Sequence, residues 1–430
     1  MHEQHHHSES NQGEVNRGRR KFLEKAGFAG VGAATAAASA GSGYRLLMRM
    51  LRDEAPNSER APTDTDDPAV SPEHATAVRE HDIEVVAQTL FDQIAEHGSV
   101  SLTPETIRGL IAHFKALHSE GGSEHPALLA GLGRMAPWKT HIDAEFDTQG
   151  VTPDLSYLAI AESHFDLHAV SHARATGPFQ FMKATATKPP ASLVVRNSLD
   201  ERCDPIKSAR AAAAVLKDNY WRLGESWDAA LAGYNGGFIW RYAQEHQGEE
   251  WVYEDFLKHM ETEMNKIIAE HDIRIDNNDV YVIQPGDTLR ALAIQFDTPV
   301  ETLKAWNNMH NDMLIAGARF RLSPTNTEHT PKEGMRKLAG YFENMHYPAK
   351  FYGILQAIQQ LEEQPTVPAH HFQELRISAD LPDTLQGVST RFGIPQDTLI
   401  TLNPQVRNAT APLPRNTTIR VPAGGRFAML

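Results

Sequence analysis

Glu162 is the residue of this sequence whose type and position best suit acid and base chemistry. It lies in the stretch 153–182, PDLSYLAIAESHFDLHAVSHARATGPFQFM, which is predicted to begin as a helix with Thr152 at its N-cap. Leu155 and Leu158 precede Glu162 at helical spacing, so the acid falls on the stripe predicted to face the core. Burial raises the pKa of a carboxyl group, which lets it donate a proton near neutral pH. The alternative is that Glu162 ends the helix and turns to solvent.

Tyr234 is a second polar side chain that the pattern turns inward. Ser226 is predicted to cap a short helix in which Trp227 and Tyr234 share one face. A buried tyrosine hydroxyl needs a hydrogen-bond partner. A pairing with Glu162 would orient the acid, whereas a role in core packing alone is the alternative.

Helices must position these groups, because amphipathic spacing recurs on both sides of the stretch. Before it, helices are predicted from Ser71-Pro72 to Gly98, from Thr103-Pro104 onward, and around Ile142 and Phe146. After it, the pattern predicts one helix that starts at Asp204-Pro205 and buries an alanine-rich stripe, and another over 242–272. We find no chemistry-bearing pattern in the helices that precede the stretch.

Composition limits the classes of function that are open to the chain. Its 430 residues, 41% of them hydrophobic, are enough for two or more domains with cores. A formal net charge of -14 argues against nucleic acid as a partner, because phosphate binding needs a basic surface. The single cysteine, Cys203, can form no internal disulfide.

The N-terminal region carries an export pattern. Arg19-Arg20 with the following Lys-Phe-Leu resembles a twin-arginine signal, and a weakly apolar Ala/Gly-rich run follows it up to Ala40. This predicts an exported protein located in the periplasm or cell envelope. The apolar character continues over 44–51, so membrane association through an uncleaved N-terminal segment stays open.

Three motifs give the stretch a family context. The pair Glu162-Ser163 followed by Phe165, the run GPFQFM at 177–182 and the run AGYNGG at 232–237 resemble, in order and spacing, the signatures of soluble-type lytic transglycosylase domains. These domains are related to goose-type lysozyme. The segment 200–202, Asp-Glu-Arg, is similar to one in the membrane-bound type D transglycosylases.

The resemblance implies a role for each matching residue. Glu162 would be the sole catalytic acid and base, and Tyr234 would hydrogen-bond to it. The substrate-binding residues would be Ser163, Gln180, Met182, Tyr234 and Asn235, with Gln180 and Asn235 contacting the sugar or its N-acetyl group. Pro178 and Phe179 replace the usual leucine and tryptophan or methionine.

The implied reaction needs only one carboxyl group. In substrate-assisted glycosidases the acetamido oxygen of the sugar attacks the anomeric carbon. The family reaction cleaves the MurNAc-GlcNAc β-1,4 bond of peptidoglycan and leaves a 1,6-anhydro-MurNAc end. A muramidase that activates water instead, and a non-catalytic peptidoglycan-binding scaffold, are the alternatives. Asp166 could act as a second carboxylate, although a turn residue is the favoured interpretation.

Histidines at 164, 168 and 172 have helical spacing that suggests a metal site. We do not favour one, because the resemblance predicts a loop there and no supporting outer-shell pattern is present. The sequence therefore predicts no metal and no cofactor.

A repeated unit occupies the C-terminal part of the chain. Residues 281–322 predict a strand, two short helices and a second strand, and resemble a LysM module. A degenerate copy follows, in which Asp383, Leu399 and Asn403 repeat the spacing of their counterparts in the first copy. By resemblance, glycan would bind the first copy at Gly286, Asp287, Thr288, Leu289, Met313, Leu314 and Ile315.

The fold class predicted is mainly α: a lysozyme-like helical domain plus small α+β (βααβ) LysM modules. Peptidoglycan glycan strands are the expected partner, and the oligomeric state is undetermined. The segment 325–375 is predicted as a helical insertion that serves as a spacer, as packing against the catalytic lobe or as a partner site. The expected divisions are a signal at 1–40, a linker at 41–70, an N-terminal helical region at 71–135, a transglycosylase domain at 136–245, a connector at 246–279, LysM 1 at 280–324, the insertion at 325–375 and LysM 2 at 376–423.

Overall fold

The computed structural model describes residues 90–424 except 92, 172, 274–279, 285, 308, 310, 311, 313, 315–318, 323–331, 379 and 380. The export pattern and the first part of the helix predicted before Gly98 therefore lie outside the described residues. Among the helices in the described ranges, none is long and apolar enough to cross a membrane.

Helices build most of the described chain, which confirms the predicted fold class. Helical residues at 90–91 and 93–97 precede the labelled elements. The helices of the first part are α1 Pro104–His118, α2 His125–Met135, α3 Lys139–Thr148, α4 Leu158–Ser163, α5 Lys183–Ala186, α6 Pro205–Arg222, α7 Trp227–Asn235, α8 Phe238–Glu245 and α9 Tyr253–Glu270. The remaining elements are β1 Val280–Val282, α10 Leu289–Gln295, α11 Val300–Trp306, β2 Arg319–Arg321, α12 Lys332–Met345, α13 Tyr347–Gln359, β3 Phe372–Arg376, α14 Leu385–Phe392, α15 Gln396–Leu402 and β4 Thr418–Pro422.

Local sequence signals account for several helix starts. Thr103 accepts a hydrogen bond from Thr106 N, Asp204 from Ile206 N and Lys207 N, and Ser226 from Ala229 N. The stretch that begins at Pro153 differs from its prediction: it opens as a 3-10 turn, Pro153–Tyr157, and Thr152 makes no side-chain cap. The helix predicted over 242–272 is interrupted, since α8 ends at Glu245 and α9 begins at Tyr253.

The alanine-rich stripe of α6 allows close packing in the centre of the helical lobe. Ala209, Ala212 and Ala213 are each fully buried in a core shared with α3 and α7. The other close approach joins α13 to α1, where a Cβ added at Gly353 would lie 2.6 Å from Phe114 Cβ. Small residues at these positions let the helix backbones approach, which makes the lobe compact around the segment that carries Glu162.

The helical pair α12 and α13 packs into this lobe. The side chains of α13 from Tyr347 to Ile358 are all buried, and Phe342 and Met345 of α12 join the core that contains α9. Of the three roles left open for this segment, packing against the lobe is the one observed. LysM 1 consequently lies in the chain between two helices of the lobe, α9 and α12.

Each LysM repeat forms a two-stranded antiparallel sheet with two helices between its strands. In the first, Val280 pairs with Arg321 and Val282 with Arg319. In the second, Phe372 pairs with Pro422 and Arg376 with Thr418. Both repeats have a small apolar core of their own, which agrees with two copies of one supersecondary unit.

The second LysM repeat is docked on the helical lobe through buried ion pairs. Arg420 Nη2 donates to both oxygens of Asp204, at 2.6 and 2.8 Å, and the two side chains are 4% and 0% exposed. Leu199 forms a β-bridge with Val406, and the Arg420 guanidinium lies 5.6 Å from the Trp138 ring centroid. The second LysM repeat therefore packs directly against the helical lobe.

Candidate active site

Glu162 lies on the last turn of α4, a position determined by the way this helix ends. His164 and Phe165 both adopt positive φ, 49° and 57°, so the helix ends at Ser163. Arg134 Nη2 donates to His164 O at 2.6 Å, and Gly131 leaves room for that carbonyl, since a Cβ there would lie 2.8 Å from it. The side chain of Glu162 is half-buried and not turned fully to solvent.

Two residues of α13 bond to Glu162 and to the backbone next to it. The Tyr347 hydroxyl donates to Glu162 Oε1. Lys350, one turn further along α13, donates from Nζ to Ala161 O at 2.8 Å. Tyr347 and Lys350 are 4% and 5% exposed, so both contacts are shielded from water. Tyr347 thus orients the carboxyl group, and Lys350 holds the backbone next to it.

Tyr347 is the functional candidate that the sequence analysis missed. The segment around it was predicted as an insertion because LysM 1 separates it from the motifs. One signal was present: YPAKFYGILQAI is apolar on nearly all sides, which is typical of a helix buried within a core. Such a helix requires a lobe around it, and within the described residues α1 to α9 form the large helical body.

Tyr234 lies beside the acid but directs its hydroxyl elsewhere. The hydroxyl donates to Phe179 O at 2.9 Å, whereas the family resemblance implied a bond to Glu162. Burial, with a smaller contribution from the charge of Glu162, raises the pKa of the Tyr234 hydroxyl well above its usual value. The hydroxyl therefore stays protonated, and its observed bond holds the GPFQFM turn.

The GPFQFM turn is held by bonds of its own residues and of the neighbouring Ser163 and Thr176. Thr176 and Phe181 form a β-bridge, and Gln180 adopts a φ of 49°. Gln180 Nε2 donates to Gly177 O at 2.8 Å, and Ser163 Oγ donates to Pro178 O at 2.9 Å. Two of the predicted substrate-binding residues, Gln180 and Ser163, thus stabilise this turn with hydrogen bonds from their side chains.

Met182 is the last residue of the GPFQFM run, and Asn235 lies in the AGYNGG run. Met182 is 43% exposed, as expected of a surface contact. Asn235 is the last residue of α7 and half-buried. The following Gly236 faces α12, since a Cβ there would lie 1.9 Å from Asn344 Oδ1. The AGYNGG motif therefore also meets the helical pair that carries Tyr347.

A buried charge network connects the turn to the second LysM repeat. Asp200 accepts from Arg202 Nε at 2.9 Å and from Arg407 Nη2, contributed by LysM 2, at 2.6 Å. Arg202 Nη1 in turn donates to Phe181 O at 3.1 Å. Burial by itself would raise the pKa of Asp200, but Arg202 and Arg407 together hold it below its usual value. Asp200 is therefore ionised at neutral pH.

Of the three histidines considered for a metal, His164 is buried and lies at the helix end, and His168 is exposed. His172 lies outside the described residues. Asp166 forms a turn: its Oδ1 accepts from His168 N at 2.9 Å, and its backbone N donates to Ser163 Oγ at 3.1 Å. This geometry matches the turn interpretation of Asp166.

The predicted glycan-binding residues of LysM 1 occupy different environments. Gly286 and Thr288 are exposed, and Thr288 caps α10 through Ala291 N. Asp287 Oδ2 accepts from Gln284 N at 2.6 Å. Leu289 is a core residue, 3% exposed, and Leu314 packs against the same core. Met313 and Ile315 lie outside the described residues.

Tyr347→Phe is expected to lower the rate of the glycan cleavage that the family resemblance implies by about 10-fold to 100-fold, because Glu162 loses the donor that orients it. The measurement is the initial rate of release of soluble fragments from purified sacculi. Tyr352→Phe is the matched control: it removes a buried hydroxyl from the same helix, but one that is bonded to Asp228. Equal rates for the two variants would contradict the positioning role of Tyr347.

Comparison with known families agrees with this architecture. Residues 142–250 match the family model described as transglycosylase SLT domain. Residues 281–323 and 383–422 each match the LysM domain. The chain therefore contains an SLT transglycosylase domain and two LysM domains, as the motifs predicted. These are the domain types of proteins that cleave and bind peptidoglycan.

One curated relative shares part of the chain. The cell wall-binding protein YocH of Bacillus subtilis (strain 168) is 41% identical over 59 residues, which is 13% of this chain and 21% of that protein. The chain thus spans about a fifth of the length of this relative. The two LysM domains indicate association with the cell envelope.

Proposed function

We propose that the protein is a peptidoglycan lytic transglycosylase that cleaves the MurNAc-GlcNAc β-1,4 bond and leaves 1,6-anhydro-MurNAc ends. The observation that carries this proposal is a single half-buried acid, Glu162, oriented by the Tyr347 hydroxyl within an SLT domain. Asp166, the nearby second carboxyl group, is engaged in a turn. A site with one acid fits substrate-assisted cleavage.

In the proposed reaction Glu162 first acts as the general acid. Its proton passes to the glycosidic oxygen, the bond from that oxygen to MurNAc C1 breaks, and GlcNAc leaves with a free 4-hydroxyl group. The MurNAc acetamido oxygen forms a bond to C1 and carries the developing charge as an oxazolinium ion. Lys350, bonded to Ala161 O, keeps the helix end in place during this step.

Glu162, now a carboxylate, then acts as the base. It removes the proton from the MurNAc C6 hydroxyl, whose oxygen attacks C1 and displaces the acetamido oxygen. The product is a 1,6-anhydro ring, and Glu162 regains its proton, so no water is consumed. We propose that Gln180, Met182 and Asn235 line the path of the sugar, and that Ser163 and Tyr234 act by holding the GPFQFM turn.

We also propose that LysM 1 binds the glycan strand through the segment 286–288, in which Gly286 and Thr288 are exposed, together with the segment 313–315. The twin-arginine pattern at 19–23 supports export to the periplasm or cell envelope. We propose the domain divisions given above with one change. The helices α12 and α13, predicted as an insertion, belong to the catalytic lobe on the basis of their packing.

The test of the reaction is to digest purified sacculi with the full chain and to analyse the soluble fragments by mass spectrometry. Anhydro-muropeptides, lighter than hydrolytic fragments by one water, are expected. Reducing ends would identify a muramidase, and no release would indicate a binding scaffold. Either of these outcomes would overturn the proposed reaction.

A further inference from the structure

Three side chains that commonly bind metals converge beside the helix end that carries Glu162. They are His118 at the end of α1, Glu124 in the loop before α2, and His164 at the C-cap of α4. Their ligand atoms all lie within 4.8 Å of one another. His118 and His164 are 3% and 4% exposed, and Glu124 is half-buried. This cluster has no part in the proposed cleavage reaction.

Hydrogen bonding prepares His118 as a ligand. Its Nδ1 lies 2.7 Å from Phe114 O, and a carbonyl can only accept, so Nδ1 bears the proton. Nε2 is then the ring nitrogen of His118 that can act as a metal ligand. A metal-binding histidine usually donates its other ring N–H to a carbonyl or carboxylate in this way, which fixes its tautomer and orientation.

Backbone contacts hold the other two ligands in place. Glu124 N donates to Leu117 O at 2.9 Å, which closes the loop between α1 and α2. The His164 carbonyl accepts from Arg134 Nη2 at 2.6 Å and lies against Gly131. The three ligands therefore come from segments whose positions are fixed before any ion binds, so little ordering entropy is lost on binding.

We propose that His118, Glu124 and His164 form a zinc site that ties the α1–α2 loop to the end of the catalytic helix α4. Two imidazole nitrogens and one carboxylate suit Zn²⁺, whereas Ca²⁺ and Mg²⁺ prefer oxygen ligands alone. Tetrahedral zinc with bonds of about 2.1 Å needs ligand atoms about 3.4 Å apart. The proposed site requires side-chain rotations that close the cluster to that spacing, with a water molecule as the fourth ligand.

The position of the site gives it a structural role. His164 follows Glu162 by two residues, and its backbone conformation ends α4. An ion on its ring would restrain the helix end, in addition to the contacts from Arg134 and Lys350. We expect zinc to raise the stability of the lobe, because it binds only the folded arrangement of the ligands.

The test measures zinc bound to the full chain. The run His5 to His7 can also bind zinc. Every chain in the test, the parent included, therefore carries alanine at these three positions. After exposure to zinc and dialysis, inductively coupled plasma mass spectrometry is expected to find about one ion per chain. Glu124→Gln and His118→Gln are each expected to weaken zinc binding by at least about 100-fold, since a direct ligand matters more than an outer-shell partner.

Glu120→Gln is the matched control, because Glu120 is an exposed acid on the same loop. It should retain zinc and the zinc-dependent rise in Tm, whereas Glu124→Gln should lose both. Should the ligand variants fail to fold, Co²⁺ added to the parent chain must give the visible absorption of a tetrahedral nitrogen and oxygen site that zinc abolishes. The zinc site is overturned if the chain neither retains zinc nor gives that spectrum. It is also overturned if Glu120→Gln and Glu124→Gln bind zinc equally well, and the three residues would then be a hydrogen-bonded cluster only.

Discussion

Glu162→Gln is expected to lower the rate of glycan-strand cleavage by at least about 1,000-fold while leaving binding to sacculi unchanged. The amide can still accept the hydrogen bond from Tyr347 through its oxygen, so the local packing is preserved. It can neither donate the proton to the glycosidic oxygen nor remove the proton from the C6 hydroxyl. Both steps of the proposed reaction therefore fail together.

Two assays separate catalysis from binding in this variant. Fragment release from sacculi, followed by chromatography, measures cleavage, and co-sedimentation with the same sacculi measures binding. Asp166→Asn is the matched control, because asparagine can still accept the hydrogen bond from His168 N that forms the turn. Substantial cleavage by Glu162→Gln, or an equal loss in Asp166→Asn, would refute the single-acid mechanism.

Arg420→Met is expected to lower the free energy of unfolding by about 3 kcal/mol, because it leaves the fully buried Asp204 without its cationic partner. Methionine keeps an apolar stem beside Trp138, so the loss reports the ion pair and the hydrogen bond from Arg420 Nη1 to Leu402 O rather than the packing. Asp204 keeps its hydrogen bonds from Ile206 N and Lys207 N. The expected loss of unfolding free energy therefore lies at the lower end of the range for breaking a buried ion pair.

Urea denaturation of the full chain, followed by circular dichroism at helical wavelengths, measures this loss. Arg415→Met is the matched control, because Arg415 is an exposed arginine of the same repeat. Its free energy of unfolding should stay within about 0.5 kcal/mol of the parent value. If the two variants unfold at the same urea concentration, the Arg420 ion pair does not hold the second repeat to the lobe.

Sequence reasoning succeeded where the cause of a structure is local. Helix starts at Thr103, Asp204 and Ser226 follow from short polar side chains next to a backbone N–H, and all three starts were predicted. The buried alanines of α6 follow from helical periodicity. The repeat was visible because two copies of one unit share the same spacing of polar and apolar residues.

The partners of buried hydroxyl groups could not be predicted in the same way. Tyr347 reaches Glu162 across a long separation in the chain, with a whole LysM module between them, and no periodic pattern reports such a contact. Tyr234 was correctly turned inward, but its bond to Phe179 O depends on the path of the GPFQFM turn. Helix α2 was missed because its glycines and histidine obscure its apolar face.

The placement of LysM 1 between α9 and α12 has a consequence for proteolysis. A module at the end of a chain is released by one cut in its linker, but this module is joined to the lobe through two segments, 274–279 and 323–331. One cut in either segment leaves the module and the lobe covalently joined. After a cut in the second, α12 and α13, which carry Tyr347, would remain with the lobe by packing alone. Only two cuts would separate the first repeat from the cleavage site.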